Sequence, residues 1–375
     1  PVNDPEWIRS VEREAEDNLK RLRHHPCIAL WCGNNELEMG LVAEEWGDRC
    51  MAYRDYAKLF HQSLPRIVSE LDPQRFFWIS SPHSTMGDDY AGNDPRSGDA
   101  HLWGVWHGRK PFEWYRENKH RFVSEYGFQS LPEPRTVAAM APPGERNIMS
   151  RAMEYHHRSR PGHGYILHAV SDWFRLPTSE EDQLWLTQLT QGIAVKTGVE
   201  HWRRLMPRTM GSLYWQLNDL WPCSSWSSLD VFGRWKALHH MARRFYAPVA
   251  VSILEHPERQ RMEIYVTSDR SESAAFHLDW KLFTCAGKCV RQGSLQPALR
   301  RRASKRVQVL NLKDAAAEFG PQNLFLVASL LEDDKTISRT AAFFARPKHM
   351  PLQNPMITWK TKSLQPPGLS QLTLR

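Results

Sequence analysis

No stretch of the 375 residues approaches the roughly 18 uninterrupted apolar residues of a membrane-crossing helix, so no transmembrane helix and no membrane partner are expected. Cysteine is scarce, with six at irregular spacing, which excludes a disulfide framework and a paired Cys-x-x-Cys zinc site. Cys285 and Cys289 flank an expected hairpin turn and are read as free thiols rather than as a local disulfide. No Asn-X-Ser/Thr site occurs, a composition that favours a cytoplasmic or periplasmic compartment over a glycosylated one. Gly-rich phosphate loops, a Gly-X-Ser-X-Gly elbow and a His-Glu-x-x-His helix are all missing, so nucleotide, acyl-transfer and zinc-protease chemistry receive no support. His156, His157 and His163 are therefore read as loop and helix-surface residues, and no metal or cofactor is expected.

Charge points the same way. The formal charge is +7, but most basic residues are interspersed with acidic ones. The one dense cluster, Leu299 to Arg306, lacks interleaved aromatics and reads as a solvated loop, so no nucleic-acid partner is expected.

What is present is a repeating unit. Apolar residues at helical spacing run from Asp4 to Arg23, with Asp4 as N-cap and Pro5 at the first helical position. A short apolar run, Cys27 to Trp31, follows and has the texture of a strand covered on both faces. A helix over Tyr53–Leu71 leads into Arg75 to Ser80. His101 to Trp106, Arg121 to Glu125 and, after a helix over Glu180–Leu205, Gly211 to Gln216 complete five such strands. Buried strands alternating with helices predict a parallel α/β architecture with its site at the strands' carboxyl ends. An eight-stranded barrel would need three more strands upstream of Pro1, so the first domain, 1–247, reads as an incomplete (β/α)8 TIM barrel.

After a helix ending near Phe245 the texture changes to short alternating strands over 248–346, a β-sandwich of roughly 100 residues. Residues 347–375 are Pro-rich and read as a linker or the start of a further domain.

Two carboxylates stand at strand ends: Glu36 in Gly33-Asn34-Asn35-Glu36 and Glu125 in Ser124-Glu125-Tyr126-Gly127. Each, taken singly, reads equally well as an acid tied to a loop or to an arginine. Their company is informative, because Trp31, Trp103, Trp106, Tyr126 and Trp215 occupy comparable strand ends. Rings for apolar sugar faces, amides for hydroxyls and a carboxyl pair for the glycosidic bond form the equipment of glycoside hydrolysis. His83, His101 and His107 lie near the same ends as further candidates for sugar contact.

Four ordered blocks carry a family resemblance: "HHPCIALWCGNNE", "HLWGVWHG", "RFVSEYGFQSLP" and "GSLYWQLNDLWPCSSWSSLD". With them, residues 1 to 346 resemble the β-mannosidase branch of glycoside hydrolase family 2. The resemblance implies strands 4–8 of the barrel followed by an immunoglobulin-like sandwich. It implies Glu36 as acid/base, Glu125 as nucleophile, Asn35 on the sugar 2-hydroxyl and Trp215 beneath the sugar, with Trp103, Trp106, Asn218 and Asp219 as further substrate-binding candidates. It further implies a β-mannoside oligosaccharide substrate, release of terminal non-reducing β-mannose with retention, and carboxyl groups about 5–5.5 Å apart. An N-terminal sugar-binding domain and the first barrel strands would lie outside this chain. The tyrosine that orients the nucleophile in related enzymes has no counterpart near Trp103 and Trp106. The alternatives are an exo-β-glucosaminidase or another family 2 exo-glycosidase, or a truncated, inactive carbohydrate-binding remnant.

Overall fold

The computed structural model describes residues 4–42, 46–47, 51–85, 92–159, 162–363 and 370–374. Cys50 lies outside them. The opening helix, Pro5–Leu22, starts where Asp4 accepts the Glu6 amide at 2.8 Å and ends with Lys20 and Arg21 in its last turn, both favourable to the helix dipole. It packs on helix Leu64–Leu71, so each covers the other's apolar face. The long helix expected over Tyr53–Leu71 is three pieces, because a wide-turn π segment, Lys58–Ser63, interrupts it.

Five short parallel strands follow one another in space as in sequence. Strand β1 (Leu30–Cys32) pairs with β2 (Phe76–Trp78), while β3 (Ala100–His101), β4 (Phe122–Glu125) and β5 (Gly211–Ser212) form a second ladder. The two ladders are joined by side chains around Asp99, which accepts from Trp78 Nε1 at 2.9 Å, the His83 amide at 3.0 Å and Ser81 Oγ at 2.6 Å. The strands are shorter than the apolar runs predicted. After His101 the chain turns, so Trp103 to Trp106 lie in a turn rather than in a strand. Helices His163–Trp173, Glu180–Arg204 and Ala237–Phe245 cover the second ladder around Trp106, Tyr115, Tyr126, Phe128 and Trp202.

Beyond Phe245 come β6 (Val249–His256), β7 (Arg261–Ser268), β8 (Ala274–Ala275), β9 (His277–Thr284), β10 (Cys289–Leu295), β11 (Ala298–Leu299), β12 (Ala303–Asn311), β13 (Leu324–Glu332) and β14 (Lys335–Phe343). They build antiparallel sheets β12-β7-β6 and β10-β9-β13-β14, with β8 and β11 as a small extra pair. Inward residues from both large sheets, among them Ile264, Leu278, Leu326 and Leu330, form one core, as in a two-sheet sandwich. Arg116 pairs with Glu255 at 2.5 Å and Arg203 with Asp269 at 2.7 Å, fastening sandwich to α/β portion. Downstream of the sandwich, in the segment expected as a linker or the start of a further domain, Lys348 Nζ donates to the Ser171 carbonyl at 2.8 Å, and Trp359–Ser363 pairs with Ser370–Leu374. Cys27, Cys32, Cys223, Cys285 and Cys289 are free thiols. Among the described residues no helix is long and apolar enough to cross a membrane.

Candidate active site

The parallel ladder does not stop at Cys32. Gly33 donates to the Trp78 carbonyl, Ser81 to that of Asn34, and Glu36 to that of Ser81 at 2.7 Å, so strand pairing carries the chain as far as Glu36. Of the two asparagines, Asn34 is internal: its Oδ1 accepts from the Leu37 amide and Ser80 Oγ while its Nδ2 donates to the Ile79 carbonyl. Asn35 is left exposed beside Glu36. Glu36 has φ 61°, a left-handed conformation that a glutamate adopts at a cost of order 1–3 kcal/mol.

Strand β4 supplies the second carboxylate. Register sets Glu125 opposite His101 on β3, with the Leu102 amide donating to the Glu125 carbonyl at 2.7 Å. The imidazole of His101, only 1% exposed, stands between the two acids: Nδ1 is 2.6 Å from Glu36 Oε1 and 3.4 Å from Glu125 Oε2. Atoms of Glu36, His101 and Glu125 all lie within 4.8 Å of one another. Such a trio is also a set of potential metal ligands, but the 2.6 Å approach is that of a hydrogen bond and leaves no room for an ion between those two atoms.

Burial pushes the Glu125 carboxyl up to about 7. His101 and the Trp103 N–H oppose that rise, while the negative charges of Glu36 and Asp99 add to it. Trp103 Nε1 donates to Glu125 Oε2 at 3.3 Å. Beneath the acids a polar layer is fully engaged: Ser81 and Ser124 hydroxyls both donate to Asp99 Oδ2, at 2.6 and 2.5 Å, and Ser81 Oγ is 2.9 Å from His101 Nε2. Next to it, buried Glu38 accepts from Tyr56 and contacts His83 Nδ1 at 2.8 Å.

Trp215 follows β5, its amide donating to the Tyr126 carbonyl at 2.8 Å, which places it one strand from Glu125 with 40% of its surface open. Gly127 makes this approach feasible, because a Cβ there would lie 2.3 Å from the Trp215 carbonyl oxygen. Gly127→Ala is accordingly expected to lose about 1–3 kcal/mol of stability, as other overpacked sites do, measured by denaturant unfolding with tryptophan fluorescence. An unchanged midpoint would show that the Trp215 backbone can retreat freely.

Other candidates are placed differently. Trp106 is fully buried, its ring against Phe128, Tyr165 and Trp226, so it belongs to the core rather than to a sugar-facing surface. Asp219 is also buried, accepting from Ser225 Oγ, Ser227 Oγ and Gln216 Nε2, a cage that fixes its own loop. Asn218 is exposed on that loop. Of the expected surface histidines, His163 is buried with Nε2 2.8 Å from Ser224 Oγ, its ring 4.5 Å from that of half-buried His157, and burial pulls the two down to about 3 and about 4. Sequence reasoning missed Asp99, Ser81 and Ser124 altogether and named His101 only among the candidates for sugar contact. A cleft of about 430 Å³ between helix Glu180–Arg204 and the sandwich lies apart from this site, and its Glu200 and Glu255 are already paired with Lys196 and Arg116.

A parallel α/β unit with two acids brought together from the ends of its first and fourth strands, followed by a sandwich, is the layout of a glycoside hydrolase and its accessory domain. Residues 260–349 match the Mannosidase Ig/CBM-like domain. The β-mannosidase of Bos taurus is 35% identical over 270 residues, 66% of this chain and 30% of that protein; β-mannosidase B of Neosartorya fischeri is 30% identical over 298 residues, 72% and 35% respectively. The β-D-mannosidase structure from Dictyoglomus thermophilum superposes with a TM-score of 0.86 at 30% identity, covering 97% of this chain and 44% of that one. The exo-chitosanase of Amycolatopsis orientalis shares the fold, with a TM-score of 0.65 at 14% identity over 88% of this chain and 38% of that one. The chain is a relative of the β-mannosidases of glycoside hydrolase family 2. It spans about a third of the length of the curated relatives it matches.

Proposed function

We propose that the protein to which this chain belongs is a retaining exo-acting β-mannosidase, with Glu125 as nucleophile and Glu36 as acid/base. The observation that carries this reading is the pair itself, two carboxylates with one oxygen of each within 4.8 Å of the other, a proximity that suits the close carboxyl pair, about 5–5.5 Å apart, of retaining enzymes. Glu125 attacks the anomeric carbon while Glu36 protonates the leaving oxygen, and Glu36 then takes a proton from the water that frees the sugar. Trp103 orients Glu125 through its indole N–H. Asn35, exposed beside Glu36, serves the 2-hydroxyl, and Trp215 offers its open face to the ring. The five strands act as strands 4–8 of a barrel, with 1–247 the catalytic portion, 248–346 the immunoglobulin-like sandwich and 347–375 leading onward.

The test is covalent trapping. An activated 2-deoxy-2-fluoro-β-mannoside lets the nucleophile react and slows release, so mass spectrometry is expected to find one glycosyl group on the peptide containing Glu125. A folded, intact protein that stays unlabelled, or is labelled elsewhere, refutes the assignment.

A further inference from the structure

The hydrogen-bond pattern around His101 has a direction. Asp99 Oδ2 accepts from both Ser81 and Ser124, so the Ser81 hydroxyl proton is committed to Asp99. The Ser81 oxygen is then an acceptor, and at 2.9 Å it fixes the proton of His101 on Nε2. Nδ1 is left facing Glu36 Oε1 at 2.6 Å, with Glu125 Oε2 at 3.4 Å on its other flank. Two unprotonated atoms, an imidazole lone pair and a carboxylate oxygen, would repel at 2.6 Å. One proton therefore lies between them.

Resting on the reading above, we propose that His101 is a positioning residue that holds the acid/base proton jointly with Glu36, on a hydrogen bond between His101 Nδ1 and Glu36 Oε1 anchored by Ser81 and Asp99. In the free protein the proton sits on either atom. When it is on Nδ1, the imidazolium faces Glu36 from the turn after β1 and Glu125 from β4, with Asp99 behind Ser81 and His107 beyond Glu36. Glycosylation turns Glu125 into a neutral ester and removes one of the charges that favoured the imidazolium. In that same step the glycosidic bond breaks and the proton passes through Glu36 to the leaving oxygen. What remains is a Glu36 carboxylate facing an Nδ1 lone pair, an opposition relieved when Glu36 takes a proton from the attacking water. The ester bond then breaks, Glu125 leaves as carboxylate, and the shared proton is restored.

Two measurements on the intact protein test this. In ¹⁵N-histidine NMR, His101 is expected to show a protonated Nε2 and an Nδ1 signal between the protonated and free values, moving to the free value in Glu36→Gln, whose amide has no acidic proton to share and turns its NH2 towards the Nδ1 lone pair. In His101→Gln, the basic limb of the pH profile of kcat/KM is expected to move about one pH unit towards acid, since the pair loses its second proton seat. For an alkyl β-mannoside kcat should fall about 100-fold, and for a dinitrophenyl β-mannoside less than about 5-fold. Ser81→Ala, which frees the imidazole to change tautomer, should move the same limb in the same direction if His101→Gln fails to fold. An unmoved limb with equal losses on both substrates makes His101 a packing residue and overturns the proposal. If the wild-type protein cleaves no β-mannoside, the functional reading falls, and the NMR alone decides whether the proton is shared.

Discussion

Glu125→Gln is expected to lower turnover of an aryl β-mannoside by about 10⁴-fold or more while raising stability at neutral pH. The amide has the size of the carboxyl but no charge with which to form a bond to the anomeric carbon. The gain in stability follows from the cost of the site. Glu125 is nearly buried, and burial moves its carboxyl from the ordinary 4.5 to about 7. Between those values the folded chain holds a proton that the unfolded chain has released, so stability falls as pH rises through the window and the full cost is present above about pH 7. With a discount for partial solvent access, that cost is on the order of 2–3 kcal/mol. Calorimetry should therefore show little difference between variant and wild type near pH 4.5 and a Tm higher by a few degrees in the variant at pH 8. The same shift governs activity, because the nucleophile must be ionised: the acid limb of kcat/KM should lie near neutrality rather than near pH 4.5. Retained turnover would remove Glu125 from the reaction, and a lower Tm at pH 8 would mean that the His101 and Trp103 contacts outweigh the burial.

How much of this was legible in the sequence depended on burial. The five parallel strands announced themselves as short apolar runs, although β1 and β2 leave Leu30 and Phe76 exposed instead of covered on both faces; among the sandwich strands β9 and β13, central in their sheet, alternate buried and open residues along most of their length. Strands β10 and β14 did not, since they are the edges of that sheet and carry Arg291, Gln292, Lys335 and Arg339 where a core strand would carry apolar groups. The two acids were legible because a charge at a buried strand end needs a reason. Trp106 misled for a related cause: the chain turns after His101, so Trp103 and Trp106 do not share a strand end, and one ring meets Glu125 while the other enters the core. Asp99 was invisible. It sits in the polar stretch Ser97-Gly98-Asp99, and only the folded chain, which sets β2 and the residues after it beside β3 and β4, brings four donors to one carboxylate.

Glu36→Gln separates the two steps of the reaction. Glutamine is compatible with the left-handed backbone at this position to the same degree as glutamate, so the fold should be retained. What is lost is the proton for the leaving oxygen and the base for the incoming water. For an alkyl β-mannoside, whose alkoxide leaves poorly, the first step should slow about 10²–10⁴-fold. A dinitrophenolate needs no proton, so with that substrate the first step should proceed and the glycosyl-enzyme should accumulate, seen as a burst of phenolate followed by slow turnover. Azide, already an anion, needs no base to attack the ester, and adding it should restore steady-state rate with β-mannosyl azide as product. If Glu36→Gln instead slows both substrates equally and azide restores neither, Glu36 is not the acid/base. His83, whose Nδ1 is held by Glu38 and whose amide donates to Asp99, is then an imidazole of the polar layer to test for the role.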